Sequence, residues 1–382
     1  MATVAGGANI DLALDPGELD AAQQALAAIG SGYPDSEIHH TLPDAIQHPG
    51  DLQVFDLPGG GNYTLAANNE VLILANDTTS TLPTAITDSG QNDLITGNQG
   101  NDTVNLTAGS GSIFAGDGAN IVNLTDQASA FIEFGSGNDT VNMTGGAATI
   151  NQPGGGTTAV FVNGGTNTID GQTPLYIIIQ DGTNDLTLNA GGEVKVDGGT
   201  NTIDLASGND TVMSYGGASS VNVTGTDQLV HIYGNNDTVT LGSGDDTVVL
   251  SGDATVFAGT GNQQITSLAG NDLLVAGSGN ATMTGGVGND TFVGSTGHDT
   301  FIAGSGNNLF SFSADSSASG GAHVIQGFTE GRDQIQLVGY DTAAALAGAH
   351  LMGGDTVITL DGGSTTITLT NFTHLDAGDI KN

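Results

Sequence analysis

Between Asp88 and Phe310 large apolar residues return every nine positions. Ile95, Val104, Ile113 and Val122 mark the first four units, and Val141 and Ile150 follow after one extra residue. From Val196 the register runs through Ile203, Val212, Val221, Val230, Val239 and Val248 and loses one residue near Ala258. It resumes at Ile265, Leu274, Met283, Phe292, Phe301 and Phe310. Around each marker apolar and polar residues alternate, as in TVNLT (103–107), where Val104 and Leu106 share one face and Thr103, Asn105 and Thr107 the other. A period of two is that of a strand with one face buried. The glycine-rich hexapeptides between strands can make tight turns through positive φ. Two nine-residue units close one coil of 18 residues, and successive coils stack as parallel strands about 4.8 Å apart. The predicted fold is therefore all-β, a parallel β-roll or β-solenoid over 88–311 with outward rows of Thr and Asn that form hydrogen-bonded ladders. Residues 152–195 are degenerate in this register, and TPLYIIIQ (173–180) reads as a longer strand.

The flanks differ. Asp15-Pro16-Gly17-Glu18 has the pattern of a helix start, and Leu19, Ala22, Leu26 and Ile29 would share a face before Gly30 ends the helix. Residues 1–50 thus read as an N-terminal extension with a short helical cap. The loop from Tyr33 to Pro49 holds His39, His40 and His48, whose surroundings lack ligand spacing, so it reads as solvated. Residues 51–87 carry strand-like runs (DLQVFDL, NYTLAA, EVLILAND) and read as irregular first coils, the atypical terminal units a repeat array needs. In 312–382 a short Ala-rich helix (DTAAALAGAHL) precedes a hairpin, DTVITLDGGSTTITL, turning at Asp361-Gly362-Gly363.

Composition sharpens this picture. Of 382 residues, 62 are Gly and none is Cys; Lys195, Arg332 and Lys381 are the only basic residues against 35 Asp and six Glu, for a formal charge of −38. Such a chain repels itself unless cations answer it. Nucleic acid is excluded as a partner, because no basic surface exists to release counterions from phosphates. No apolar run reaches the ~18 residues of a membrane span, and the first residues lack the basic and apolar regions of a secretory signal.

The candidate chemistry lies in the turns. GGVGNDTFV (285–293) and GSTGHDTFI (294–302) are successive copies of G-G-x-G-x-D-x-U-x, with U a large apolar residue. This nonapeptide resembles the calcium-binding repeat of RTX proteins. The motif Asps are Asp93, Asp102, Asp139, Asp210, Asp237, Asp246, Asp272, Asp290 and Asp299. Calcium takes six to eight oxygens, so an Asp needs a partner one coil away as well as turn carbonyls. Asp272 and Asp290 supply that pairing; Asp210 and Asp246 meet Gln228, Asp237 meets Ser219, and Asp299 faces Ala281. At Asn120, Asn167, Asn201 and Asn308 an amide replaces the carboxylate, and it is expected to bond the turn backbone without an ion.

The C-terminal GF-x-x-G-x-D-x-I-x-L run, the DTVITLDGG hairpin and the Asp379-Ile380 ending are similar to the segment that follows RTX repeats in bacterial proteins secreted by type I systems. The resemblance implies an uncleaved export signal in 312–382, the type I machinery as a partner, and an extracellular or cell-surface location. That family spans enzymes, toxins, adhesins and surface-layer proteins. Here no Ser/His/Asp set and no HExxH stands apart from the repeats. Lyase chemistry on acidic sugars would need basic residues that are nearly absent. The expectation is a non-enzymatic, calcium-setting structural protein that assembles with itself into a fibre or layer. The alternative is a monomeric adhesin that binds polysaccharide or ice through the Thr/Asn rows.

Overall fold

The alternation read from the sequence folds as strands whose inward residues stack in columns. The computed structural model describes residues 82–125, 127–314 and 320–382 throughout. Before them it describes residues 60–65 and the short strands Ala2–Thr3, Asn9–Ile10, Ser36–His39, Leu52–Asp56 and Glu70–Ile73. The expected helix over 15–29 lies outside the described residues, as do His40 and His48. His39 ends the strand Ser36–His39, which pairs in parallel with Leu52–Asp56, so part of the stretch expected as a loop is already a rung. The chain forms two compact units, Met1–Gly192 and Glu193–Asn382.

In the first unit Ile95, Ile113, Ile132 and Ile150 stand in parallel register, each at most 1% exposed. Ile86, Val104, Val122, Val141 and Val160 form the facing column. Burying one such side chain contributes about 1.5–3 kcal/mol, so the periodic positions alone make a continuous core. Outside, Asn105, Asn123 and Asn142 form the anticipated ladder: the Asn123 amide donates to Asn105 Oδ1 at 2.7 Å and the Asn142 amide to Asn123 Oδ1 at 2.8 Å. The extra residue is already in place at Gly109↔Ala128, and a register shift between Phe114 and Gly116, opposite Glu133 and Phe134, leaves Ala115 as the unpaired residue. The degenerate stretch keeps coiling. Gly156–Gly171 and Leu175–Leu188 are long strands paired in parallel, and Val160, Ile169, Ile177 and Leu186 still point inward. Glycine bends persist at Gly164 and Gly165, but Asn167 and Asn184 stand where the motif would place Asp.

In the second unit one column runs Val194, Val212, Val230, Val248, Ile265, Met283, Phe301 and Ile325. Its partner runs Ile203, Val221, Val239, Val256, Leu274, Phe292, Phe310 and Ile335. Toward the C-terminal coils valine gives way to phenylalanine. Phe292 and Phe310 stack at 4.9 Å and 6°, and Phe301 tilts against Phe292 at 5.5 Å. The coil then opens into a hairpin layer. Gly321–Gln326 pairs in parallel with Thr365–Leu369, which pairs antiparallel with Asp355–Leu360, which pairs antiparallel with His350–Met352. Helix α1 (Thr342–Gly348) starts at Asp341, whose carboxylate accepts from Ala344 N at 3.1 Å. Among the described residues no helix is long and apolar enough to cross a membrane.

Phe301 is fully buried among Phe292, Phe310 and Phe312. Replacing it with Ala is expected to cost about 3–5 kcal/mol, read as a lower denaturant midpoint in calcium. An unchanged midpoint would contradict this packing.

Candidate metal centre

Each turn brings backbone against backbone. A Cβ on Gly288, which sits at φ 153°, would lie 1.6 Å from the Gly270 carbonyl oxygen, so only glycine lets this turn stack on the one before it. The motif Asp follows at the start of the next strand and folds its side chain back into the turn. All nine candidate Asps, Asp93, Asp102, Asp139, Asp210, Asp237, Asp246, Asp272, Asp290 and Asp299, are buried to 1–2% exposure.

One carboxylate oxygen plays the same part in coil after coil, accepting the backbone N–H of the equivalent residue on the preceding coil. Asp290 Oδ1 accepts from Asp272 N at 3.0 Å, Asp272 Oδ1 from Ala254 N at 2.9 Å, and Asp299 Oδ1 from Ala281 N at 3.0 Å. Asp246 Oδ1 takes Gln228 N at 2.9 Å and Asp237 Oδ1 takes Ser219 N at 2.6 Å. The second oxygen separates the candidates. Asp102 Oδ2 accepts from Asn98 N at 3.2 Å, and Asp139 Oδ2 from the Gln152 amide at 3.0 Å, so both carboxylates are answered within the protein. Asp93 faces the buried Asp88. Asp237, Asp246, Asp272 and Asp290 each keep a buried Oδ2 with no hydrogen-bond partner. Asp299 Oδ2 is likewise buried without a hydrogen-bond partner, although the Nδ1 of buried His323 lies 3.1 Å away.

Burial makes this costly. It raises the carboxyls of Asp88, Asp102, Asp246 and Asp272 above the ordinary value, those of Asp139 and Asp237 to about 6, and that of Asp290 to about 7, where the charges of Asp272 and Asp253 add to the rise. At Asp272 the Ser267 side chain and the backbone bond from Ala254 work against the rise without cancelling it. A buried carboxylate oxygen beside turn carbonyls, with no donor to answer it, fits a hard cation that takes oxygen ligands. The residues that would hold it are Asp237, Asp246, Asp272 and Asp290, and the ion would supply the positive charge the turns lack.

Two columns of turns run along the second unit. One reads Asn201, Ser219, Asp237, Ala254, Asp272, Asp290, Asn308 and Asp333; the other reads Asp210, Gln228, Asp246, Gln263, Ala281, Asp299 and His323. Asp246 meets Gln263 as well as Gln228, because the coil at Ala258 has 17 residues: Asp246 N donates to Gln263 Oε1 at 2.9 Å. Sequence reasoning missed Asp333, which accepts from Asn308 N at 2.9 Å and Thr329 N at 2.8 Å. Its signal was present as Gly327, Gly331 and Asp333, a turn motif stretched by one residue. Asp88, with Oδ1 on Gly90 N at 2.8 Å, was hidden because it occupies a glycine position of the repeat.

The family described as RTX calcium-binding nonapeptide repeat (4 copies) matches residues 85–113, 195–220, 223–248, 249–283 and 284–316. These segments of the chain carry RTX calcium-binding repeats. The matched segments contain eight of the nine motif Asps, all but Asp139, and the RTX repeats identify calcium as the cation they take. Among solved structures the chain is similar to extracellular lipase LipA from Serratia marcescens, at 16% identity and a TM-score of 0.28, over 54% of this chain and 39% of that one. That likeness is too slight to bear on function. No curated protein sequence matches the chain.

Two outcomes follow for the RTX turns. In chelator the raised carboxyls favour the protonated fold. Their contribution is fully present below the ordinary value of 3.8 and is lost as pH rises through about 6 to 7. The melting temperature in chelator should therefore fall between pH 5 and pH 8, and calcium should restore it most at pH 8. A calcium effect that is equal at both pH values would refute this. Asp290→Asn keeps the acceptor for Asp272 N and removes a buried charge that costs about 1–3 kcal/mol when unanswered. The variant should melt higher than wild type in chelator and gain less from calcium.

Proposed function

We propose that this chain is a secreted structural protein of a bacterium. A type I machinery exports it unfolded, it sets into its coil on meeting calcium outside the cell, and it joins copies of itself into a fibre or layer at the cell surface or in a biofilm matrix. The observation that carries this reading is the row of buried Asp237, Asp246, Asp272 and Asp290 oxygens left without a donor. Extracellular modules bind calcium at about 10⁻⁴–10⁻³ M. In the cytosol such turns would stay empty and repel, while outside, binding free energy becomes folding free energy. RTX repeats are typical of secreted bacterial proteins, which supports export, as does the resemblance of 312–382 to a type I export segment. A non-enzymatic role is supported by the engagement of the motif carboxylates with backbone, which leaves them no exposed pair for acid–base work.

Support for self-assembly comes from the hairpin layer. Its outer strand His350–Met352 pairs on one side with Asp355–Leu360 and, among the described residues, with nothing on the other. All three of its residues are exposed, Leu351 at 60% and Met352 at 63%. An apolar open edge of this kind adds strands from other chains. The adhesin reading draws on a different face. Tyr215 and Tyr233 stack at 5.2 Å on the outside of the coil, with His231 edge-on and Lys195 over the Tyr215 ring. This is apolar ring surface with polar handles.

Size-exclusion chromatography with light scattering in calcium and in chelator tests the proposal. Large calcium-dependent particles are expected, reverting to monomer in a Leu351→Lys/Met352→Lys chain. A wild-type monomer that persists in calcium would defeat assembly and favour the adhesin.

A further inference from the structure

Three glutamines stand in turns of the coil, Gln228 and Gln263 within the RTX repeats and Gln152 outside them, and all are buried: Gln152 at 7%, Gln228 and Gln263 at 2% exposure. Gln228 and Gln263 occupy the motif Asp position of their coils. Their Oε1 atoms do what Asp Oδ1 does elsewhere, accepting the N–H of Asp210 and of Asp246 one coil back. Their amide nitrogens do what no carboxylate can. Gln228 Nε2 donates to the Gly208 carbonyl of the preceding coil and to the Thr226 carbonyl of its own turn at 2.8 Å. Gln263 Nε2 donates to the Gly244 carbonyl of the preceding coil at 2.8 Å. Gln152 makes the same bridge in the first unit, to the Gly137 carbonyl at 2.8 Å, to Gly155 at 3.3 Å and to Asp139 Oδ2 at 3.0 Å.

Side-chain length explains why glutamine is used. The asparagines at equivalent positions reach backbone carbonyls of their own turns, as Asn120 does to Gly116 at 3.1 Å and Asn201 to Gly198 at 3.2 Å, and where Asn167 and Asn308 reach the neighbouring coil they meet a side-chain oxygen there. One more methylene carries the amide across to the backbone carbonyls of the neighbouring coil. There it puts a neutral donor among the carbonyl oxygens that would otherwise face a cation. Charge separates the two as well, since an amide answers carbonyls without a counter-charge and a divalent ion needs carboxylates.

We infer that Gln228 and Gln263 are built-in substitutes for calcium, so that the two turn columns of the second unit divide the work. The column through Asp272 and Asp290 is set by ions, whereas in the column through Asp210 and Asp246 the turns at Gln228 and Gln263 are held by the chain's own amides and Asp246, between them, keeps an oxygen for an ion. Those two turns then stay closed without calcium. This division rests on the calcium-set coil proposed above.

Converting both amides to isosteric carboxylates tests it in the full chain. Gln228→Glu/Gln263→Glu keeps length and acceptor and replaces each donor with a charge facing carbonyls. Bound calcium is counted by equilibrium dialysis and atomic absorption, and melting is followed by circular dichroism in calcium and in chelator. The double variant is expected to bind at least one ion more than wild type, to melt lower in chelator and to recover in calcium. If it does not fold even in calcium, the single Gln263→Glu chain is counted in its place. An unchanged ion count and unchanged melting in chelator, with wild type still binding calcium, would overturn the division of the columns. A wild-type chain that takes up no calcium would instead overturn the calcium reading, and this inference with it.

Discussion

Stacking coils at strand spacing forces each turn to face its own copy, and that constraint governs the rest of the molecule. Like charges about 4.8 Å apart repel by roughly 3 kcal/mol at the effective dielectric of a protein surface, and by more when buried. The coil cannot avoid placing Asp272 and Asp290 in this relation, since both close a turn in the same column. In these turns one oxygen is answered by a backbone N–H of the coil before. The fold therefore turns on what meets the other oxygen. A backbone N–H meets it at Asp102 and an amide at Asp139, while at Asp299 an imidazole lies close without a hydrogen bond. At Asp237, Asp246, Asp272 and Asp290 no hydrogen-bond donor of the chain does, and calcium is the answer that chemistry allows.

The inward columns are readable from sequence almost residue by residue, because a nine-residue period allows one register and a slip would bury the wrong face. Val212, Ile265, Phe292 and the rest are fully buried where the period puts them. The vertical neighbours of the motif Asps are less readable. Counting 18 residues back from Asp246 reaches Gln228, but counting forward overshoots to Gln264 because that coil has 17 residues, and the structure puts Gln263 there. Gln152, Gln228 and Gln263 carry no signal in a single sequence, since their role depends on a carbonyl one coil away. Asp333 escapes the pattern because its turn has an extra residue, although it closes the same column as Asp290 and Asn308.

The stretch 152–195 reveals which parts of the pattern are needed for which purpose. It keeps glycine bends such as Gly164-Gly165 but has lost the motif Asps, yet Gly156–Gly171 and Leu175–Leu188 pair in parallel at twelve positions, with register shifts around Asn163. The turn there is closed by Asn167, whose amide donates to the Gly164 carbonyl at 2.9 Å and to Asn184 Oδ1 at 2.7 Å. Apolar alternation is thus enough to make a rung, and an amide pair is enough to close a bend.

Calcium is then not what a parallel coil of this kind requires in general. It is what carboxylates in the turns require, and their placement decides where the fold depends on the ion. An amide in a turn makes that coil stable wherever the chain is, whereas an aspartate makes it stable only where calcium is plentiful. A chain built wholly of the first kind would fold without calcium, and one built wholly of the second would have every turn waiting for an ion. Interleaving Gln228 and Gln263 with Asp237, Asp272 and Asp290 puts both behaviours in one unit. A nucleus that needs no ion lies beside turns that wait for one, and a repeat array whose coils contact only their neighbours can propagate from such a nucleus.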